Sequence, residues 1–371
     1  MAMTDQARLA MLALPKYISK KMEVPTRKSY LLQEIQKRGR MSTNNGGRNI
    51  EWRPEIRKHD LTWGPGNPNV ISFPQVNLHT KATLDYKTAF MGASRSEIEL
   101  LALMDRPTRF FKDIKSIGDS LSSDFPVRFA PQLFRDGVGT QKLDGFESWG
   151  GHDSTEISNE PIGNPSDTYA GLSTALGGLG GDWSAPSGGN WPRSGDDPNS
   201  CDFEYSAFSP MLVNYNSSHL VQDSSTEDEG WDDCWVYACR YLMTYQGILT
   251  SSAPDVLIID PDLLRRAENS LKKDQQFQLD SVGKDLDAGV RVMQFEGIRF
   301  ATEFGVPAGC VYGVKFNELE LRCMGPNFIS TDEEKDFVTG DTLYKLSWHG
   351  NLWVSSPVHF PMIKGVTSLG T

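Results

Sequence analysis

The chain is predicted to fold as an α+β protein, and three features of its sequence say so. Residues 255–321 read as an apolar strand, a capped helix and then a series of short strands punctuated by Gly and Pro. Phe110, Ile114, Ile117 and Leu121 recur at helical spacing and make one continuous apolar stripe. The 34 Gly and 21 Pro call for many turns, hence substantial β content.

With 371 residues the chain can form one large or two ordinary domains with a sizeable core. Hydrophobic residues are 38% and charged residues 23%, a globular balance. The net charge of -11 argues against a protein whose main task is gripping nucleic acid, though not against a container that must avoid sticking to it. Cys201, Cys234, Cys239, Cys310 and Cys323 are odd in number and unevenly spaced, which disfavours a disulfide framework and points to a reducing compartment. The apolar run Leu9–Leu14 carries its basic residues mostly behind it, the wrong order for a secretory signal. No apolar segment approaches bilayer length, so a soluble, unexported protein is expected.

Charge is unevenly placed. Residues 1–60 hold thirteen Lys/Arg against six Asp/Glu, and residues 196–232 hold nine acids and no Lys/Arg. The two regions either pair head to tail between copies or are separate solvated surfaces.

In chain order, residues 1–41 form an arm. Leu9, Leu12 and Ala13 suit one face of a short helix interrupted by Pro15 and Pro25; Tyr30, Leu31 and Ile35 suit a second that ends at Gly39. Neither buries much alone, so the arm should lie on something else. Asn44-Asn45-Gly46-Gly47 is a turn. Ile50, Trp52, Pro54 and Ile56 then alternate with charged residues, and the run from Val70 to Met91 returns as a β-prone segment. The pair makes a long ribbon with Pro54 and Pro74 on exposed edges. An isolated hairpin is marginal in water, so the ribbon leans on a neighbouring molecule or on its own domain.

Ser94-Arg95-Ser96-Glu97 is a capping box with Ser94 as N-cap. The helical region that follows runs to Asp136-Gly137, limited or kinked by Pro126 and Pro131. Residues 145–231 are irregular, but Trp149, Tyr169, Trp183, Trp191, Phe203, Tyr205 and Phe208 imply that the segment packs somewhere. Gly230–Tyr245 reads as a helix with Trp235, Ala238, Cys239 and Leu242 inward. Val256–Ile259 is a buried strand, Asp260-Pro261 starts a helix, and Val290–Phe295, Ile298–Thr302 and Cys310–Val314 are short strands. Thr342–Val366 holds two more strands around a turn at His349-Gly350-Asn351.

Chemical motifs are weak. Gly177-Gly178-Leu179-Gly180-Gly181 lacks the Lys-Ser/Thr of a phosphate loop. The six histidines form no zinc pattern and there is no CxxC. Asp232-Asp233 suits a first helical turn, and Cys234 and Cys239 suit buried packing thiols. No catalytic, cofactor-binding or metal-ligating residue is assigned, and no enzyme activity is expected.

The order of parts resembles the major capsid proteins of tailed double-stranded DNA phages, with the Hong Kong 97-type fold, over about residues 30–366. The resemblance rests on PDVLIIDPDLLRRAEN, on LDAGVRVMQFEGIRFATEFGVPAGCVYGVKFNELELR, on GNPSDTYAGLSTA followed by Trp183, and on the GGRNIEWRPEIRKHD ribbon. It implies an N-terminal arm at 1–42, an extension loop at 43–93, and a peripheral domain with a spine helix and irregular insert at 94–209. It implies an axial domain at 210–335 and return strands to the peripheral domain at 336–371. Only about forty residues precede the ribbon, so a separate scaffolding protein is expected rather than an internal one. The implied function is a virion shell subunit, assembled in the host cytoplasm into hexamers and pentamers around double-stranded DNA. That DNA would be touched only non-specifically; no membrane is involved. Further candidate partners are a scaffolding protein, a portal and a decoration protein. Candidate interface residues are Arg27 and Lys28 in the arm and Trp52, Arg53, Arg57, Trp63 and Phe73 in the ribbon. The rivals are an encapsulin-like nanocompartment and a cytoplasmic enzyme using 196–232 as a metal or substrate site.

Overall fold

A computed structural model describes residues 29–57, 77–98, 118, 120, 121, 124–137, 142–151, 162, 163, 165, 167–179, 207–214, 231–264, 292–295, 298–327, 329–335 and 341–364. The first helix, α1 (Tyr30–Lys37), begins at Ser29, whose hydroxyl accepts the Leu32 N–H at 3.3 Å, and gives way at Gly39 with φ +67°. Tyr30, Leu31, Leu32 and Ile35 are buried, so this helix lies on its own subunit. Arg38 fixes its end by stacking on Phe316 at 4.4 Å and reaching Asp255 at 3.6 Å.

The strands that follow are β1 (Met41–Ser42), β2 (Asn49–Trp52), β3 (Ala82–Asp85) and β4 (Lys87–Arg95). Ser94 pairs with Leu343 within β4, so the expected N-cap is a strand residue and the helical turn starts at Glu97. The ladder with a long partner strand outweighs the local capping box. Of the helical stripe only Leu121 is described, and it is buried; Phe110, Ile114 and Ile117 lie outside the described residues. Phe125 and Phe129 are buried further along, ahead of a 3-10 helix at Ala130–Phe134.

Next come β5 (Ile162–Gly163), β6 (Thr168–Tyr169), β7 (Leu172–Ser173), β8 (Leu212–Asn214) and helix α2 (Trp231–Thr250). Ala238, Cys239 and Leu242 of α2 are buried as its spacing predicts; the side chain of Trp235 lies outside the described residues. The remaining strands are β9 (Val256–Ile259), β10 (Val292–Phe295), β11 (Ile298–Thr302), β12 (Val311–Val314), β13 (Leu319–Cys323), β14 (Ser330–Lys335), β15 (Thr342–Val354) and β16 (Met362–Lys364). All four residues of β9 are buried, as expected of a strand covered on both faces.

Two larger sheets hold twelve of these strands, and β2–β3 and β6–β7 form two separate two-stranded pairs. One has five: β13 and β14 follow one another along one side of β15, β4 runs along the other, and β1 joins β13 in parallel. The other has seven, in the order β10-β11-β9-β12-β16-β8-β5. The segment 210–335 therefore supplies strands to both sheets, and so does 336–371.

The expected turn at His349-Gly350-Asn351 is absent, because β15 runs straight through it as a 13-residue strand. Gly350 is there for close approach: an added Cβ would lie 2.4 Å from the Arg322 carbonyl oxygen and 2.7 Å from the Trp348 ring. Asn351 is fully buried and spends its amide on tertiary partners rather than on a turn.

Candidate assembly surface at the root of the ribbon

The ribbon begins as an antiparallel pair, Asn49 opposite Asp85 to Trp52 opposite Ala82, continued by a bridge between Glu55 and His79. Its two faces differ as the alternation predicts. Ile50, Pro54, Ala82 and Leu84 are buried, whereas Glu51, Arg53 and Glu55 are exposed. Glu51 pairs with Lys81 across the outer face at 2.8 Å; both are solvent-exposed, so the pair contributes little stability. Pro54, expected on an exposed edge, is buried.

The inner face ends in an aromatic ladder. Trp52 meets Trp353 of β15 edge-on at 5.8 Å and Tyr169 at 6.2 Å. Tyr169 meets Trp149 at 5.1 Å, Trp149 meets Phe146 at 5.2 Å, and Phe146 packs on Tyr312 of β12 at 5.6 Å. Each such pair adds about 0.5–1.5 kcal/mol beyond its buried area. The ladder thus ties the ribbon to both sheets.

Polar groups lock the same root. The Trp52 indole N–H donates to the Ser355 carbonyl at 3.0 Å. The Tyr169 hydroxyl donates to the Leu352 carbonyl at 3.0 Å and accepts the Val354 N–H at 3.2 Å. Tyr169 is presented by a two-residue hairpin whose Ala170 and Gly171 have φ of 53° and 79°, the twist-matched turn for paired strands. The Ala170 carbonyl accepts the Thr83 N–H at 3.0 Å, which joins this hairpin to β3. The Asn351 amide donates to the Asp85 carbonyl at 2.8 Å and to Asp144 Oδ2 at 2.6 Å. Burial raises the Asp144 carboxyl above its ordinary value, against the Asn351 hydrogen bond and the Lys87 ammonium 3.9 Å away.

This course of chain has a counterpart among solved structures. The subunit in the cyanophage A-1(L) capsid asymmetric unit superposes with a TM-score of 0.57 at 12% identity, over 89% of this chain and 91% of that one. The fold is the Hong Kong 97-type capsid fold. The capsid of an empty GTA particle gives a TM-score of 0.50 at 11% identity, over 88% of each chain. No protein-family model matches the sequence, and no curated protein matches it.

Within this capsid fold the candidate interface residues separate. Trp52 is turned into its own subunit, Arg53 is exposed and Arg57 is half-buried. Arg27, Lys28, Trp63 and Phe73 lie outside the described residues. Other exposed apolar groups carry no signal that alternation alone reveals. Phe90 is 71% exposed and Leu343 39%, on the outward face shared by β4 and β15. Lys345 sits 5.7 Å from the Phe90 ring centroid. Their positions in the alternation are visible in the sequence, but not which face the body covers.

Among the described residues no group of three or more His, Cys, Asp or Glu is placed to hold a metal, and no helix is long and apolar enough to cross a membrane. Cys239, Cys310 and Cys323 are free and buried. Burial pushes Cys310 up to about 11 and Cys323 up to about 12, so both stay protonated thiols at neutral pH. The Trp348 indole N–H donates to Cys323 Sγ at 3.2 Å, a packing role.

Proposed function

We propose that the chain is the major capsid protein of a tailed-phage-type particle. Its copies assemble as hexamers and pentamers into an icosahedral shell around double-stranded DNA. The observation that carries this reading is the extent of the fold match, 89% of this chain against 91% of a capsid subunit. In this reading the five-stranded sheet belongs to the peripheral domain and the seven-stranded sheet to the axial domain. The proposed boundaries shift accordingly: 319–335 goes with the former and 362–364 with the latter. The extension loop, read from the sequence as 43–93, shortens to 43–86 because β4 belongs to the five-stranded sheet; its far end and the arm ahead of α1 reach neighbouring copies.

The root geometry supports that role for the ribbon. A reaching element works only if force at its far end is resisted, and Trp52, Tyr169 and Asn351 tie its base to both sheets. Symmetric repetition lets interfaces of modest size sum to a stable shell. The net charge of -11 limits adhesion of packaged DNA to the wall. A scaffolding protein, a portal and a decoration protein are the further partners of this reading, with assembly in the host cytoplasm.

The test is a chain in which 58–76 is replaced by a short Asn-Gly turn, keeping the Glu55–His79 bridge and the pairs behind it. It should purify folded, by circular dichroism, and form no uniform closed shells in negative-stain micrographs in which the unaltered chain does. Normal shells from this variant would remove the ribbon's role.

A further inference from the structure

The chain ahead of α1 joins the body at a defined place. Glu303, one residue beyond β11 and buried, accepts the Leu31 N–H on Oε2 at 2.8 Å and the Phe304 N–H on Oε1 at 3.2 Å. The Ser29 hydroxyl and the Tyr30 N–H bond to the same carboxyl. These are opening donors of α1, which have no partner within the helix, and the first turn of α1 carries no acidic residue of its own. Ser29 and the Phe304 backbone thus share one carboxyl, so whatever precedes Ser29 starts beside Phe304.

The surface at that point is apolar. Phe304 is 63% exposed. Gly305 next to it, at φ +95°, presses on the 3-10 helix Ala130–Phe134, where an added Cβ would lie 2.6 Å from Pro131 Cα. Val127 stands one helical turn before half-buried Pro131 and is 42% exposed. Phe304, Pro131 and Val127 therefore make one outward patch. Singly exposed apolar side chains are ordinary. Here two large ones flank the point where 28 further residues join the body. Those residues lie outside the described ones and include Leu9-Ala10-Met11-Leu12-Ala13-Leu14, six apolar residues in a row. A run so short cannot bury its own apolar surface. The fourteen residues Pro15–Lys28 link it to Ser29. Fully extended, a linker of that length spans about 45 Å, so length does not bar a return to the patch.

We propose that the patch of Phe304, Pro131 and Val127 is the seat of the apolar segment Leu9–Leu14 of the same chain while the subunit is unassembled. The linker decides between the same copy and a second one. A segment on a short linker meets its own seat at an effective concentration on the order of millimolar, far above that of other copies in dilute solution. In a shell of the kind proposed above, exchange with a neighbour puts the same six residues on the same patch, a low-cost swap of identical elements. The seat belongs to the single subunit and stands whether or not shells form.

The experiment uses the full-length chain with Phe304→p-benzoylphenylalanine, a photoreactive probe at an exposed position. Unlabelled and nitrogen-15-labelled copies are mixed at submicromolar concentration, and the unassembled fraction is taken by gel filtration and irradiated. Mass spectrometry then identifies the crosslinked peptides. Where no free subunit remains, the ribbon-shortened chain described above takes its place. Crosslinks should join position 304 to the peptide holding Leu9–Leu14, with both halves from one isotope. Adding Leu9→Asp and Leu12→Asp should cut that yield about tenfold or more, with the circular dichroism unchanged. A predominance of mixed-isotope pairs, meaning a second copy, would overturn the inference. So would crosslinks confined to other segments, no crosslink at position 304, or an undiminished yield in the Asp variant.

Discussion

Lys364 is the sharpest place to disturb the fold. Its side chain is fully buried on β16, with Nζ 2.6 Å from Glu147 Oε2 and 2.8 Å from the Gly150 carbonyl. The other Glu147 oxygen accepts the Tyr312 hydroxyl, so one carboxylate joins β16, β12 and the turn that carries Phe146 and Trp149. Lys364→Met keeps the volume of the stem and removes the ammonium. It strands a carboxylate and a carbonyl in the interior, which costs about 3–5 kcal/mol. Glu147→Gln leaves the ammonium without its counter-charge and should cost a similar amount. Lys364→Met combined with Glu147→Gln removes both charges at once. The double variant should be more stable than the sum of the two single losses predicts, by about 1.5 kcal/mol or more. The assay is equilibrium guanidinium denaturation of the full-length chain at pH 7.5, at matched protein concentration because self-association shifts apparent stability. A Lys364→Met chain within about 1 kcal/mol of the unaltered one would refute the reasoning. So would strict additivity in the double variant.

Two further predictions follow from packing and titration. Gly350→Ala drives a methyl into the Arg322 carbonyl and the Trp348 ring and should cost about 1–3 kcal/mol, read as a lowered thermal midpoint; a neutral result would restore the turn. Burial pushes half-buried Asp167 up to about 6 from 3.8, against a backbone hydrogen bond from Thr168. Its folded form holds the proton more tightly, so its stabilising contribution is complete below about pH 3.8 and is lost as pH rises through 6. Asp167→Asn should thus gain on the unaltered chain as pH rises from 4 to 7.5. Parallel denaturation profiles would contradict this.

What was legible in the sequence was local. Val256–Ile259 and Asp260-Pro261 announce a buried strand and a helix start through residues within one turn of each other, and both form. The inward and outward faces of the ribbon root followed from alternation at Ile50 and Glu51. What was not legible depended on partners far along the chain. Gly350-Asn351 looks like a turn until the Arg322 carbonyl and the Asp85 and Asp144 oxygens occupy the space around it. Ser94 looks like a helix cap until β15 supplies a ladder. Trp52 reads as an interface residue, and nothing near it in sequence reveals that it packs on Trp353 and Tyr169 of its own chain. Glu303 gave no signal, because nothing near it in sequence indicates that a helix start more than two hundred residues earlier needs a carboxylate.

The central claim is that this fold serves a shell. Electron microscopy of the purified full-length chain, paired with sedimentation velocity, tests it most directly. The account predicts uniform closed shells, or flat hexamers and pentamers that close when concentrated. A small, monodisperse particle that never associates across protein concentration, pH and salt would contradict it.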